Sequence, residues 1–396
     1  MKSIFILGAS RLQIPAIKKA KEKGLFVYVL DMDPLAIGIP FADKFLEIST
    51  IDKEKVYNAA LKFKPDYIIT STSDMPVRTV SWVNEKLGKK TDISYTGAIY
   101  ATDKVAMRKR MKEMGVAIPT FYEIHSFAEF MEVLPKMKQC FILKPADNAA
   151  SRGVILIDKS KNPDCQEVYD YCVRYSRSGT TLVEEFMDGP EVSVEAYSVN
   201  GKPHIITITD KLVTEIPYFV ELGHTEPSRL SIQNQEDIKK VAIDAIKAIG
   251  MVNGPTHTEI KVTNEGAKLV EIAARLGGDF ITSKLVPLST GVDMIDCSFA
   301  SMLEEKVHYT KKYDKGSAIR FIHGNVGILK EIKGVDEIKA MPYVVDVEIY
   351  KQYGSKICKL ENSSDRIGHI IAIGNNADEA ATNAENALEL LEIVIE

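Results

Sequence analysis

At 396 residues the chain is long enough for two to four domains with sizeable cores. Its formal net charge of −5 gives no global field that would draw nucleic acid, and 45% hydrophobic with 27% charged residues is the make-up of an ordinary soluble protein. No run of about 18 apolar residues occurs, so no helical membrane span is expected. Five scattered cysteines without CxxC or zinc spacing imply reduced thiols in a cytoplasmic protein.

The opening MKSIFILGAS lacks a long apolar segment with a small-residue cleavage site and reads as a strand, not a signal peptide. Ser3 to Leu7 is that strand, closed by a Gly8-Ala9-Ser10 turn. Helical periodicity follows from Leu12 to Lys23, stopped by Gly24. Strands are predicted at Phe26 to Leu30, Phe45 to Ile48 and Tyr67 to Thr70, with a helix at about Lys53 to Phe63. Strands alternating with helices predict a parallel, doubly wound α/β domain. Asp31, about twenty residues after the glycine, suggests a dinucleotide site, but GASRLQ holds one of the three required glycines, which argues against NAD. Ser10, Arg11, Asp31 and Ser71 to Asp74 are expected to form turns and caps, with Ser73 or Asp74 capping the helix near Pro76.

Ala101 to Met114 reads as one or two helices, with Asp103-Lys104 near the start and Gly115 as terminator. Arg108-Lys109-Arg110 within it reads as a solvated face. Cys140 to Lys144 is a strand and Val154 to Ile157 its return. The loop between them holds Asp147, Asn148, Ala149, Ala150, Ser151, Arg152 and Gly153. Such small residues let backbone N–H groups approach phosphate oxygens, and Lys144 at the base adds a point charge. The spacing is not the Walker pattern, and a plain hairpin loop is the alternative. Thr181 to Met187 is a strand that breaks at Asp188-Gly189-Pro190. It would present backbone groups to an adenine edge, or be an ordinary hairpin leading into the strand Glu191 to Tyr197.

Two runs, Glu259 to Val262 and Lys268 to Ile272, flank Asn264-Glu265-Gly266 and predict a β-hairpin. With a four-residue connection, or a bulge at Gly266, Glu259 lies opposite Glu271 or one position diagonal to it. His257, Glu259 and Lys261 share a face, as do Glu271, Ala273 and Arg275. Like charges facing across strands are unfavourable, and Mg²⁺ held by one or two carboxylates removes the conflict. Glutamates pointing at solvent are the alternative. Further on, Gly291 to Glu305 reads as a helix and Gly316 to His323, Tyr343 to Tyr350 and His369 to Ile373 as strands. Asn376 to Val394 reads as a closing helix.

Taken in order, Lys104, FILKP, the small-residue loop, LVEEFMDGPEVSVEAY, HTEIKV and LVEIAARLGGD resemble the ATP-grasp superfamily over essentially the whole chain. Within it, EIAARLGGD and Tyr218 to His224 are most similar to carboxylate–amine ligases that join L-amino acids. The resemblance implies an α/β and α+β multidomain ATP-grasp fold. Residues 1–100 would form the N-terminal doubly wound parallel domain and 101–187 the small lobe with the phosphate loop. Residues 188–315 would form the central catalytic lobe, and 316–396 an α+β subdomain completing it and covering the site.

The resemblance also implies roles. Lys104 and Lys144 would reach the ATP phosphates, and the loop with Asn148, Ala149, Ala150 and Ser151 would close over them. Glu184, Glu185, Phe186 and Met187 would line the adenine pocket, and Glu191 would meet the ribose. Glu259 and Glu271 would hold Mg²⁺, with Mn²⁺ as a substitute. Arg275 and Lys144 would act on the transferring phosphoryl group. Glu221 and His224 would lie in a loop beside the amino-acid site, as base or as substrate ligand. Many members carry Asn two residues after the second metal-binding glutamate; Ala273 here implies a more loosely held second ion. The implied reaction is ADP-forming amide synthesis through an acyl phosphate from small-molecule carboxylate and amine substrates, with no nucleic acid or membrane partner. A bicarbonate-using carboxylase or carbamoyl-phosphate-type enzyme is the alternative. A homodimer is the expected assembly.

Overall fold

The computed structural model describes residues 1–147, 152–214 and 220–396. The first unit is a parallel sheet of β1 (Ser3–Leu7), β2 (Phe26–Asp31), β3 (Lys44–Glu47) and β4 (Tyr67–Ile69), in the order β3-β2-β1-β4. Side chains alternate along β1. Ile4 and Ile6 enter a core with α1 (Ile14–Glu22), while Phe5 and Leu7 enter another with α2 (Lys53–Phe63) and α3 (Met75–Lys86). The sheet is thus covered on both faces, as a doubly wound domain requires. Asp31 accepts from the backbone of Ala9 and Asp33, so it is a turn residue as expected.

Two short helices follow, α4 (Tyr95–Tyr100) and α5 (Lys104–Glu113), capped by Ser94 and Asp103. Next comes an antiparallel sheet in the order β5-β8-β6-β7, from β5 (Phe121–Ile124), β6 (Cys140–Pro145), β7 (Ile155–Asp158) and β8 (Thr181–Glu185). Helices α6 (Phe127–Val133) and α7 (Cys165–Arg174) close its core around Phe130, Phe141 and Tyr169.

The rest of the chain supplies β9 (Glu191–Val199), β10 (Lys202–Val213), β11 (Glu221–Glu226), β12 (Gly254–Thr263) and β13 (Gly266–Ala273). Then come β14 (Gly316–Ile322), β15 (Gly327–Lys333), β16 (Val344–Ile349), β17 (Lys356–Ile357), β18 (Gly368–Gly374) and β19 (Glu392–Ile395). Eight of these form one antiparallel sheet, β13-β12-β9-β10-β11-β14-β18-β16. Strands from both sides of residue 315 therefore share one hydrogen-bonded layer. Helix α8 (Ile232–Ile249), started by Ser231 and stopped by left-handed Gly250, packs on it, and Met107 and Met111 of α5 enter the same core. The remaining helices are α9 (Val286–Thr290), α10 (Met294–Met302), α11 (Val335–Lys339) and α12 (Ala377–Glu389).

Two expected helices are shorter than the sequence pattern suggests. Gly291 ends α9, and α10 starts only at Met294, where Asp293 caps it. The closing helix stops at Glu389, and Glu392–Ile395 forms β19 against β15. That tail alternates, and pairing with β15 lets Ile393 and Ile395 pack against the core around Leu329 and Ile332. Among the described residues no helix is long and apolar enough to cross a membrane. The five cysteines form no disulfide.

One buried acid makes the fold pH-sensitive. Glu226 on β11 is fully buried, and the Thr209 and Ser289 hydroxyls donate to its two oxygens at 2.8 Å. Burial pushes its carboxyl up to about 8 despite those bonds. The unfolded carboxyl ionises near the ordinary value of 4.5, so between these two pH values the unfolded state binds fewer protons and stability falls as pH rises. Glu226→Gln is therefore expected to be more stable than the parent at pH 8, by up to a few kcal/mol (~1.4 kcal/mol per pH unit of displacement), and to converge with it towards pH 5. Urea unfolding at the two pH values measures this; an unchanged difference would refute it.

Candidate functional site

A cavity of 230 Å³ lies among the antiparallel sheet of β5 to β8, the hairpin β12–β13 and the strand ends beside them. The hairpin sets its geometry. Thr263 pairs with Gly266 across a two-residue Asn264-Glu265 turn, with Gly266 at φ 107°. The register is regular as far as Ile260 opposite Leu269. A bulge then intervenes, so that Glu259 faces Glu271 instead of Val270. Val270 and Glu271 both line the cavity as a result. The same bulge lets Leu269 and Ile272, three residues apart, enter one core beneath α8. Both expected arrangements, a four-residue connection or a bulge at Gly266, are thus corrected: the turn is a tight two-residue one, and the slip lies at Glu259/Ile260.

The facing glutamates are met by cations. Glu271 Oε1 lies 3.2 Å from Lys104 Nζ. Glu259 Oε1 lies 3.2 Å from Lys211 Nζ and 3.6 Å from His257 Nε2. Burial opposes ionisation of Glu259, but Lys211 and His257 hold it well below the usual carboxylate range. His257 Nδ1 is 2.5 Å from the buried Glu195 carboxylate; burial alone would lower the imidazole, yet Glu195 raises it to about 9. Gly277 permits this packing, because a Cβ there would sit 2.8 Å from Glu195 and 2.9 Å from His257.

The opposite wall is positive. Lys144 Nζ lies 2.6 Å from Glu184 Oε2, and Arg108 Nε 2.7 Å from Glu184 Oε1. Two cations thus share one carboxylate. Burial works against ionised Glu184, but the pair holds it at about 2, while burial and then the nearby Arg108 and Lys104 lower Lys144. An unneutralised positive charge is left facing the cavity. Glu185, Phe186 and Met187 line the same wall. The Glu185 N–H is donated to Thr120 O at 2.9 Å and is not available to a base edge. Glu191 lines the cavity and meets Lys211 at 2.5 Å.

Arg275 lines the cavity with its Nε 2.5 Å from Asp74 Oδ1. Asp74 makes no side-chain cap bond to α3, so the expected capping role is corrected: the carboxylate is drawn to the guanidinium. Arg11 also leaves its turn and pairs with Glu348. Glu221 and His224 lie on strand β11, not in a loop, because pairing with β10 and β14 carries the ladder through them. Glu221 lines the cavity. His224 is buried behind it, 3.4 Å from Asp279, with Nδ1 unpartnered. Asn148, Ala149, Ala150 and Ser151 lie outside the described residues.

Residues 137–283 match the ATP-grasp domain family, and residues 320–396 the L-amino acid ligase C-terminal domain 2 family. The chain has the ATP-grasp fold. Over 295 residues it is 28% identical to the uncharacterized protein y4rH of Sinorhizobium fredii, covering 73% of this chain and 60% of that one. Over 246 residues it is 28% identical to an alanine–anticapsin ligase of Bacillus subtilis, covering 57% and 51%. The aligned regions thus span between half and three-fifths of these curated relatives. A crystal structure of L-amino acid ligase from Bacillus licheniformis superposes with a TM-score of 0.84 at 21% identity, covering 100% of this chain and 99% of that one.

Three residues of the site are not legible in the sequence. The basic run predicts a solvated face, yet Arg108 is fully buried, while Lys109 beside it is exposed. Helical rotation turns one member of the basic run inward, and no signal in the run says which. Lys211 lies buried within reach of Glu191, Glu259 and Glu221, and these carboxylates outweigh burial to raise it well above its ordinary value. Arg366, just before β18, bonds Asp279 at 2.9 Å and the Glu221 carboxylate at 3.0 Å, and stacks on Phe321. The third residue brings the C-terminal segment to the site edge, a contact no local pattern encodes.

Proposed function

We propose that the chain is an ATP-dependent, ADP-forming carboxylate–amine ligase acting on amino acids. One observation carries the reading: two facing carboxylates, Glu259 and Glu271, share a cavity with an unbalanced cation pair at Glu184 and with Arg275. Two carboxylates suit Mg²⁺, which fills its other positions with phosphate oxygens and water. Glu259 and Glu271 are the residues that would hold it, in place of part of their contact with Lys211 and Lys104. Mg²⁺ supplies charge neutralisation between nucleotide phosphates. The similarity to an alanine–anticapsin ligase and to an L-amino acid ligase supports the substrate class.

The chemistry follows from charge. The γ-phosphoryl group of ATP passes to a carboxylate oxygen and ADP leaves. The amine nitrogen then attacks the acyl carbon, phosphate departs with the C–O electron pair, and the nitrogen loses a proton. Such transfer needs positioning and neutralisation more than covalent help. Lys144 with Arg108, Lys104 and Arg275 supply the positive charge. Glu221 is held by Arg366 and Lys211 beside the cavity, and in this reading it would meet the amine substrate.

Phosphate release from ATP with Mg²⁺ is the test, across amino-acid pairs, single amino acids and bicarbonate, with mass analysis of products. Release that needs two amino acids and yields a new amide with ADP is expected. Release driven by bicarbonate would move the chain to a carboxylating reaction. Arg275→Ala is expected to lower kcat by about a hundredfold or more with little change in the ATP KM, since its partner charge develops during transfer. A loss confined to ATP binding would remove that role.

A further inference from the structure

Lys211 joins three carboxylates that stand on three different strands. It lies on β10, which pairs with β9 on one side and β11 on the other, and β9 pairs in turn with β12. Its ammonium is 2.5 Å from Glu191 on β9, 3.2 Å from Glu259 on β12 and 3.9 Å from Glu221 on β11. The side chain is 5% exposed, so water and salt screen its charge little. All four residues line the cavity.

The contact with Glu259 bears on the metal. Lys211 Nζ and, farther off at 3.6 Å, His257 Nε2 approach the same carboxylate oxygen, Oε1. A divalent cation on that carboxylate meets the Lys211 charge beside it, and like charges repel strongly where water is scarce. Without the ammonium, Glu191, Glu221 and Glu259 would face one another as a set of oxygen donors, the kind a hard divalent cation uses. Nucleotide phosphates shift the balance the other way. They bring several negative charges to the cavity and offset one ammonium. Lys104 meets Glu271 at 3.2 Å, but it stands at the head of α5, and on the ligase reading its loss would also remove a phosphate contact. Lys211 separates the two effects.

We propose, resting on the ligase reading of this cavity, that Lys211 holds bare divalent cations off Glu259, so that the metal enters with the nucleotide. The lysine is thus a gate on the order of filling, built into the sheet by strand order.

Equilibrium dialysis of Mn²⁺ against the full chain tests this without turnover. The parent and Lys211→Arg, which keeps the charge, are expected to bind bare Mn²⁺ weakly. Lys211→Met is expected to bind it at least about tenfold tighter, since the repelling charge is gone. Glu259→Gln in that background should abolish the gain. A lysine with only a structural role gives the opposite sign, because its loss would loosen the site. Lys211→Met combined with Glu191→Gln removes the shortest ion pair as a neutral unit and leaves the net charge of the chain unaltered. A gain of at least about threefold is expected there too, and this double variant decides should the single one not fold. Thermal unfolding of each variant confirms that it is folded.

With ADP present, the gap between the parent and Lys211→Met should shrink. A parent whose Mn²⁺ binding ignores ADP would sink the nucleotide reading of the cavity, while the action of Lys211 is judged on bare Mn²⁺. An ADP effect in the parent without any gain in the two Met variants would overturn the proposal and leave the ligase reading standing. A gain that survives Glu259→Gln, or one that appears equally in Lys211→Arg, would also overturn it.

Discussion

Glu271→Gln is expected to cut ATP turnover at least about a hundredfold while leaving the fold intact. The substitution keeps the side-chain shape and an oxygen for Lys104, 3.2 Å away, so local packing is preserved. What it removes is one of two facing negative charges, and with it half of the protein's share of the proposed Mg²⁺ site. The loss should be partly recovered at raised Mg²⁺ if weakened binding is the cause. Turnover at the parent rate with an unaltered Mg²⁺ dependence would sink the metal assignment.

Arg108→Met is expected to destabilise the protein by about 3–5 kcal/mol, the usual consequence of removing one partner from a buried ion pair. Arg108 is fully buried and meets Glu184 through two nitrogens, at 2.7 and 3.2 Å, and donates to Val270 O at 2.8 Å. Methionine fills similar space but leaves Glu184 with Lys144 alone and the Val270 carbonyl unpaired. Lys144 would then be neutralised one-to-one, and the surplus positive charge facing the cavity would vanish. Both a lowered urea midpoint and weaker ATP binding should follow. An unfolding midpoint equal to the parent's would show that the pair contributes nothing net.

Local patterns carried much of the site. Strand alternation put His257, Glu259 and Lys261 on one face, and all three line the cavity with Glu271 and Arg275. Lys104 and Lys144 were legible because each stands at the end of a regular element, Lys104 behind the Asp103 cap and Lys144 at the close of β6. Long-range pairing was not legible. Asp74 looked like a cap because capping is local, and the Arg275 that claims it lies 201 residues away. Ala and Leu favour helix and carry the expected closing helix too far, while the partner of Glu392–Ile395 is a strand far upstream.

The amino-acid sequence by itself determined the alternating α/β start, the hairpin with its two glutamates, and the turns and caps at Asp31, Asp103 and Gly250. These depend on near neighbours, whose geometry follows from periodicity and side-chain chemistry. Tertiary structure alone decided which cations meet which carboxylates: Arg108 and Lys144 on Glu184, Lys211 among Glu191, Glu221 and Glu259, and Arg366 on Glu221. It also decided that Glu259 faces Glu271. Packing of Leu269 and Ile272 into one core forces a bulge between them, and that one-residue slip turns the second glutamate towards the first.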